Sequence, residues 1–354
     1  MADSGATAGA VGVAASDMLR FGTALLEHGG ALPEHARIVM DHLITSSAMG
    51  LHSHGVMRVP QYLAEMQSGV INPAARPKAV QTAPARLHMD GERGFGQVVG
   101  MLMVEALVPA ARAAGMAMIN GRHLGHTGRI GAYPEALAEA GLVGVAVCNG
   151  APSGHWVAPF GGRDGRISTN PIATGWPVTG APPVVADFST AASPEGVIRV
   201  MRDRKAEAPA GYLRDAAGNP TRDPNVLYAV PKGAIQPFGA ELGYRGTALA
   251  LLVEVLTTLL NADRVDDTSR KGTDMTLIAI APQAGFADLA AGLSDHMRAS
   301  PPLDPRRPVM MPGDREHATN VPGAPIRVDA PTWAAMSRAG EEAALPLPAA
   351  TAIG

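Results

Sequence analysis

The sequence predicts an α/β protein, and two observations carry that prediction. Short apolar runs at residues 116–119 and 143–147 alternate with alanine-rich stretches of helical length at 97–114 and 129–140. Such alternation is typical of a sheet covered by helices. With 354 residues, 46% of them hydrophobic, the chain also has enough apolar material for a large core and about two structural units.

Helices are predicted to precede this alternating region. Residues 16–29 repeat apolar side chains at helical spacing, with Ser16 as the expected N-cap. A second helix is predicted over 33–50, since proline suits a first helical turn, and a third over 57–68. Residues 1–15 are predicted to form a flexible tail or a first strand.

The second half of the chain predicts further strands and one long helix. The strand candidates are residues 171–176, 184–187 and 275–280. The long helix is expected at 246–262, and its apolar face is expected to carry Leu249, Leu252, Val253, Leu256 and Leu260. The stretch 203–242 is rich in proline and glycine, so we expect loops that border a site. A short helix is expected near 331–338.

Composition excludes several classes of function. The net charge is −3 and no run of Lys or Arg occurs, so neither nucleic acid nor an anionic membrane is an expected partner. No stretch approaches 18 uninterrupted apolar residues, and no basic residue precedes the apolar start of the chain, so neither a membrane span nor a signal peptide is expected. A single cysteine, Cys148, requires no oxidising compartment. We therefore expect a cytoplasmic protein.

The first candidate site is the segment 51–58, at the predicted junction of the second and third helices. His54 can exchange a proton near neutral pH, and Arg58, four residues later, can hold a carboxylate with two hydrogen bonds. From spacing alone, an exposed loop with a solvated arginine is an equally good interpretation.

The second candidate is the segment 120–128, which follows a predicted strand and contains His123 and His126. Loops at strand ends are where α/β proteins build sites. The two histidines also raise the possibility of zinc. A catalytic zinc ion needs three protein ligands, and no Cys, Asp or Glu stands beside them, so no metal is expected.

Two further segments place hydroxyls, amides and glycines near strand ends. They are residues 159–171, with Thr169 and Asn170, and residues 185–190, with Asp187. Such groups can bind the phosphates and ribose of a nucleotide. From composition alone, ordinary turn chemistry explains them better.

A glycine-rich segment at 94–100 is not a dinucleotide-binding fingerprint. Its glycine spacing is one residue too long, and no strand-like run leads directly into it. The sequence therefore does not predict a Rossmann domain.

Taken together, these segments resemble one family. The matching residues, in chain order, are His54-Gly55-Val56 with Arg58, Asp90-Gly91 with Gly96-Gln97-Val98-Val99, His123 with Gly125, Pro159 with Gly161-Gly162, Thr169-Asn170-Pro171, Asp187, the segment 243–254, and Pro312-Gly313 with Glu316. They resemble the malate/L-lactate dehydrogenase family, also called the sulfolactate dehydrogenase-like family, over about residues 15–316. Each motif is weak alone, and their shared order carries the resemblance.

The resemblance implies a fold and a division of the chain. It implies a non-Rossmann NAD(P)-binding core of the sulfolactate dehydrogenase-like type at residues 79–299. It also implies a helical domain built from residues 1–78 together with residues 300–354. A homodimer is a further implication, with the active site near the subunit boundary.

The same resemblance implies roles for individual residues. His123 would donate and accept the proton, while His54 and Arg58 would line the substrate pocket. Cofactor contacts are expected from Thr169, Asn170, Asp187, Phe188, Ser189, Arg245 and Gly313. Relatives usually carry lysine at the position of Arg245, so the geometry of this charge differs here.

We therefore expect an NAD- or NADP-dependent enzyme that transfers a hydride between nicotinamide and a small 2-hydroxy acid or 2-oxo acid. The expected partners are a small carboxylate substrate and a second copy of the chain. One alternative is a reductase of a cyclic imine carboxylate, and another is a non-redox metal-binding protein that uses the histidine pairs.

Overall fold

The computed structural model describes residues 9–353. The helices in this range are α1 (Ala15–His28), α2 (Pro33–Ala48), α3 (Val59–Gln67), α4 (Gly96–Ala114), α5 (Ala132–Glu139), α6 (Glu195–Asp203), α7 (Gly243–Leu256), α8 (Phe286–Arg298), α9 (Asp314–Thr319) and α10 (Ala330–Glu342). The strands are β1 (Val11–Val13), β2 (Ala79–Ala83), β3 (Arg86–Asp90), β4 (Met116–Leu124), β5 (Val143–Cys148), β6 (Ile172–Trp176), β7 (Val184–Phe188), β8 (Leu213–Arg214), β9 (Pro220–Thr221), β10 (Ala234–Ile235), β11 (Thr273–Ile280), β12 (Ile326–Val328) and β13 (Ala350–Ala352).

A mixed seven-stranded sheet forms the centre of the molecule, with strand order β2-β3-β4-β11-β5-β6-β7. Strands β3 and β4 are parallel, and the other neighbouring pairs are antiparallel. Strand β11 lies between β4 and β5, although the chain reaches it only after α7. The predicted α/β class is confirmed.

Helices α4 and α5 cover one face of this sheet. Helix α4 packs on β4 and β11, and α5 packs on β5 and β6. The two helices approach closely because Gly100 in α4 faces Tyr133 in α5. A Cβ atom at Gly100 would lie 2.3 Å from the tyrosine ring. A larger residue there would force these helices apart.

Helix α7 lies near the opposite side of the strands, and its buried face is small and polar. The carbonyl of Leu256 accepts hydrogen bonds from Asn120 in β4 (3.1 Å) and Thr276 in β11 (2.6 Å). Of the predicted apolar face of this helix only Val253 is buried, while Leu252 and Leu260 are exposed. That predicted core face is therefore wrong, because polar contacts to the sheet, and not leucines, fix the orientation of the helix.

The two ends of the chain meet in a second layer. Strand β1 pairs with β12 and β13 in an antiparallel sheet, and α10 packs against α1 and α3. Phe21 of α1 and Trp333 of α10 pack with ring centroids 6.5 Å apart. The division into residues 1–78 with 300–354 and residues 79–299 stays a prediction.

Several local predictions need correction. Helix α1 is preceded by Ala14 as N-cap with no side-chain hydrogen bond, so Ser16 does not cap it. Strand β4 continues to Leu124, so His123 lies in a strand and not in a loop. Within the loop-rich stretch 203–242, β8, β9 and β10 form a small antiparallel sheet, which the prolines and glycines of the sequence obscured.

Two helical segments, Gly96–Ala114 and Ala240–Asn261, are long and apolar enough by composition to cross a membrane. This criterion is weak evidence, because a core helix of a soluble protein also meets it. In helix α4, Met103 and Leu107 are fully buried against the sheet.

Candidate functional site

An open cleft of about 530 Å³ lies between the turn after α2, the segment that leads into α5, strand β7 and the start of α9. Among the residues lining it are six that the sequence assigned to the site: His54, Thr169, Asp187, Phe188, Ser189 and Gly313. A concave site with a few polar groups among apolar side chains is typical of ligand binding.

The turn that carries His54 is fixed by a close contact with α2. The hydroxyl of Ser47 accepts a hydrogen bond from the backbone N–H of Val56 (3.0 Å). Gly55 is required here, since a Cβ atom at that position would lie 2.1 Å from Ser47 Oγ. Burial lowers the pKa of His54 to about 3, and Arg58 and Arg129 act in the same direction. His54 is therefore neutral at physiological pH.

Arg58 is buried, with 8% of its surface exposed, and Glu195 and Glu65 act on it electrostatically without a direct ion pair among the described residues. Its Nε donates to the carbonyl of Ser53 (2.7 Å) and its Nη1 donates to Gln61 Oε1 (2.6 Å). Nη2 points toward Gly196, where a Cβ atom would lie 3.0 Å away. A buried guanidinium without a carboxylate partner is costly, and an anionic ligand would offset that cost.

His126 lies beside His54, which the sequence analysis did not anticipate. The two rings stack with centroids 5.7 Å apart and an interplanar angle of 19°. His126 Nδ1 forms a 2.8 Å hydrogen bond with the hydroxyl of Tyr62, and Gln97 Nε2 donates to the same hydroxyl (2.7 Å). Tyr62 and His126 are 64 residues apart in the sequence, so no local spacing pattern could indicate this contact.

His123 points elsewhere. Its Nδ1 lies 3.1 Å from both carboxylate oxygens of Asp90. Arg122 Nε donates a hydrogen bond to one of these oxygens, Oδ2, at 3.1 Å. His123 has a φ of 57°, in the left-handed region, and it is not among the residues that line the cleft of the described chain. The structure therefore does not bring His123 together with His54 within that cleft.

Asp187 projects from β7 into the cleft. One of its carboxylate oxygens accepts a hydrogen bond from the backbone N–H of Gly131 (2.8 Å). Burial raises the pKa of Asp187 to about 6, and Glu316 adds to this, while the Gly131 hydrogen bond and Arg129 oppose it. The carboxylate is thus held ready to accept further donors, such as ribose hydroxyls.

The neighbouring residues form a polar edge of the cleft. Ser189 Oγ donates to the carbonyl of Thr169 (2.9 Å), which ties the end of β7 to the chain before β6. Gly313 has a φ of 89° and lies against the backbone of Val185, where a Cβ atom would approach to 3.3 Å. Backbone thus borders the cleft closely at this point, as a site for an extended ligand requires.

Asn170 and Arg245 do not line the cleft of the described chain, and neither does Arg58, whose neighbours Ser53 and His54 do. Asn170 is fully buried, and its amide donates to the carbonyl of Ala250 (3.0 Å) and to Glu254 (2.9 Å). It therefore holds Thr169 in place from behind. Arg245 is exposed at the start of α7, where its Nε donates to the hydroxyl of Tyr244 (3.2 Å).

Residues 9–353 contain no group of three or more His, Cys, Asp or Glu side chains that could hold a metal ion. His123 and His126 have different partners, Asp90 and Tyr62 respectively. The geometry therefore does not support the histidine pair as a zinc site.

Known proteins match both the sequence and the fold. A model of the malate/L-lactate dehydrogenase family matches residues 13–337. Hydroxycarboxylate dehydrogenase B of Escherichia coli strain K12 is 32% identical over 340 residues, which cover 91% of this chain and 92% of that protein.

Two solved structures extend the comparison. The sulfolactate dehydrogenase of Methanocaldococcus jannaschii has a TM-score of 0.82 at 27% identity, covering 95% of this chain and 98% of that one. The Δ1-piperideine-2-carboxylate reductase of Pseudomonas syringae pvar. tomato has a TM-score of 0.80 at 28% identity, covering 93% and 99%. The similarity thus includes the terminal helices as well as the seven-stranded sheet.

Proposed function

The chain belongs to the malate/L-lactate dehydrogenase family, and on that premise we propose that it interconverts a small 2-hydroxy acid and its 2-oxo acid with NAD or NADP. The observation that carries this proposal is Arg58, a buried guanidinium with no carboxylate partner in the described chain, beside a cleft histidine. A 2-oxo acid supplies the missing carboxylate, and Arg58 fixes its orientation.

The cleft fits a nicotinamide cofactor. Asp187 offers an acceptor for ribose hydroxyls, Thr169 and Ser189 offer polar groups, and Gly313 leaves the backbone open to an approaching ligand. When bound, the cofactor supplies the hydride that passes between C4 of its nicotinamide and C2 of the substrate. In this proposal Asn170 acts from behind the cleft, and Arg245 contributes from the exposed start of α7.

The side chains of the protein supply position and a proton. Arg58 holds the substrate carboxylate and His54 helps to orient it. His123 is the proposed proton donor and acceptor, and Asp90 holds its Nδ1 so that Nε2 remains for the reaction. His123 does not line the cleft of its own chain, so in this proposal the site is completed at a subunit boundary.

We propose a homodimer for that reason. A cytoplasmic location is proposed with it, on the presence of one cysteine, Cys148, which is buried and unpaired.

Reduction of a cyclic imine carboxylate is the second candidate function. The similarity to a solved Δ1-piperideine-2-carboxylate reductase favours it, and such a substrate presents the same carboxylate to Arg58. The two candidates differ only in the atom double-bonded to C2, which is oxygen in one and nitrogen in the other.

The test is the absorbance at 340 nm with NADH or NADPH and a panel of acceptors. The panel includes pyruvate, oxaloacetate and Δ1-piperideine-2-carboxylate, together with pyruvamide, which lacks the carboxylate. We expect NADH or NADPH to be oxidised in the presence of at least one 2-oxo acid and not in the presence of pyruvamide. EDTA should leave the rate of this oxidation unchanged. Loss of activity with EDTA would instead support the metal-dependent alternative.

A further inference from the structure

The roles proposed above leave out His126, although it lies in the same group of side chains as His54 and Arg58. It follows strand β4 by two residues, and its ring stacks on that of His54. The backbone of His126 is fixed by the start of α4, because a Cβ atom at Gly96 would lie 2.5 Å from the His126 carbonyl. The imidazole is therefore held against His54, which lines the cleft, although His126 itself is not among the lining residues of the described chain.

A hydrogen-bond chain favours one tautomer of His126. The amide nitrogen of Gln97 can only donate, so the oxygen of Tyr62 accepts at that contact (2.7 Å). The hydroxyl proton of Tyr62 is then directed at Nδ1 of His126 (2.8 Å). In the tautomer that we infer from this arrangement, Nδ1 accepts the hydrogen bond from Tyr62 and the hydrogen of the neutral ring lies on Nε2.

Among the described residues, no protein atom forms a hydrogen bond with Nε2 of His126. This nitrogen is also not one of the fully buried polar atoms that lack a hydrogen-bond partner. The residue is partly exposed, and so is His54, which lines the cleft. Burial, Arg58, His54 and His42 all hold the pKa of His126 well below its usual range, so the ring stays neutral. Its Nε2–H is thus a fixed donor without an acceptor.

We propose that Nε2–H of His126 donates a hydrogen bond to the C2 oxygen of the substrate and thereby selects a carbonyl over an imine. This inference rests on the proposed function, which it refines by naming the acceptor. The carboxylate on Arg58 places C2 near the stacked histidines, and His126 is then a catalytic residue in addition to His54.

The chemistry requires only a polarising contact from this residue. As hydride reaches C2, a C–H bond forms and the C=O π bond breaks, so negative charge collects on the oxygen. The N–H bond of His126 stays intact and stabilises that charge, while the proton that completes the alcohol comes from the general acid. A donor aimed at a developing oxyanion contributes mainly in the transition state.

The same donor opposes a cyclic imine. The reactive form of such a substrate is the protonated iminium, whose nitrogen carries a hydrogen and accepts none. The iminium N–H and the Nε2–H of His126 would then face each other, and the Nε2–H would have no acceptor. His126 should therefore lower imine reduction relative to 2-oxo acid reduction.

The experiment compares kcat and KM for pyruvate and Δ1-piperideine-2-carboxylate in the wild type, His126→Ala and His126→Gln. For His126→Ala we expect kcat with pyruvate to fall on the order of a hundredfold to a thousandfold, with KM changed less than about threefold. Imine reduction should fall by less than about threefold or rise. His126→Gln keeps an N–H donor and should recover about tenfold or more of the pyruvate rate.

His35→Ala is the matched control, since His35 is a buried histidine, at 7% exposure, that lies on α2 with the Pro73 carbonyl as its partner. A pyruvate-to-imine ratio that is unchanged in His126→Ala, in an active wild type, overturns this inference alone. A wild type that reduces neither substrate with NADH or NADPH overturns the proposed function and this inference with it.

A second measurement is independent of turnover. Nitrogen-15 NMR of the imidazoles in the wild type, assigned by comparison with His126→Gln, reports which ring nitrogen carries hydrogen. We expect the Nε2–H form of His126 from pH 6 to 8. The Nδ1–H form, or a charged ring, overturns the proposal.

Discussion

At the scale of single residues, Arg58 offers the most direct test of carboxylate binding. Arg58→Met removes the buried charge but keeps an apolar stem of similar length. Loss of a charge-assisted, two-pronged contact in a dry site costs about 2–4 kcal/mol, so KM for a 2-oxo acid should rise roughly thirtyfold to several hundredfold. Steady-state kinetics measure this, with Arg37→Met, at a 73% exposed side chain, as control. Unchanged affinity would place the carboxylate elsewhere.

His123 tests the proposed proton transfer. Its Nδ1 is held by Asp90, and Nε2 is left for a reacting oxygen. His123→Ala should lower kcat on the order of a hundredfold to ten-thousandfold while the melting temperature stays close to that of the wild type. A variant that retains nearly full rate across pH 5–9 would end this assignment.

Asp187 predicts a pH dependence of cofactor binding. Its pKa is raised to about 6, mainly by burial, and the charged groups facing it are Arg129 and Glu316. Ribose hydroxyls bind the ionised carboxylate, so affinity for NAD(P)H should fall as pH drops through about 6, by about tenfold per pH unit below it.

Fluorescence titration with NADH and NADPH from pH 5 to 7.5 measures this dependence, with circular dichroism to confirm that the protein stays folded. Asp187→Asn should bind more weakly at pH 7.5 and lose the slope. The raised pKa also means that Asp187 stabilises the fold most below about pH 4, and that this contribution is lost as pH rises through 6. A flat wild-type profile would contradict the ribose contact.

The residue scale also shows where sequence reasoning succeeds and where it stops. His54 and Arg58 were predicted as a pair because they are four positions apart, and in the structure they end two consecutive short turns, His52–His54 and Val56–Arg58. Tyr62, Gln97 and His126 come from three separate segments, so no spacing rule could join them. The packing of α3, α4 and the end of β4 creates that contact.

At the scale of elements, the glycine-rich start of α4 has a packing role. Its Gly96 lies against the carbonyls of Gly125 and His126, each 2.5 Å from the position of a Cβ atom. The glycine allows the helix to begin directly against the segment that follows β4. This close approach explains a glycine-rich helix start without a dinucleotide fingerprint, which the spacing had already excluded.

Helix α7 carries the prediction of assembly. Its outer surface exposes Leu251 (53%), Leu252 (47%) and Val255 (45%), and the short turn Leu259–Asn261 that follows it exposes Leu259 (52%), an apolar area that a single chain leaves in water. We expect a second copy of the chain to cover it, in an interface of about 2,000 Å² or more. Leu251→Glu combined with Leu259→Glu should therefore yield a monomer of low activity.

Sedimentation equilibrium at low micromolar concentration measures the association, with Val70→Glu, at an equally exposed position on another surface, as control. A wild type that is fully active as a single species near the chain mass of 36.4 kDa would rule out both the dimer and a site shared between subunits.

At the scale of the whole molecule, the sequence predicted the α/β class and its helical start, since those depend on local periodicity. It did not predict strands β2 and β3, and it could not predict that β11 separates β4 from β5, because that pairing joins segments remote in sequence. The sequence also did not predict helix α8. Its outer surface exposes Leu289, Leu293 and Met297, so it lacks the polar outer face by which an amphipathic helix is recognised.

The central claim is that a hydride passes between a nicotinamide and C2 of a 2-oxo acid held by Arg58. Reduction of pyruvate with cofactor deuterated at C4 of the dihydronicotinamide tests it most directly, with the product analysed by proton NMR and mass spectrometry. The account predicts one deuterium on C2 of lactate, transferred from one face of the nicotinamide only. Product without deuterium at C2, or no reduction of any 2-oxo acid with either cofactor, would contradict it.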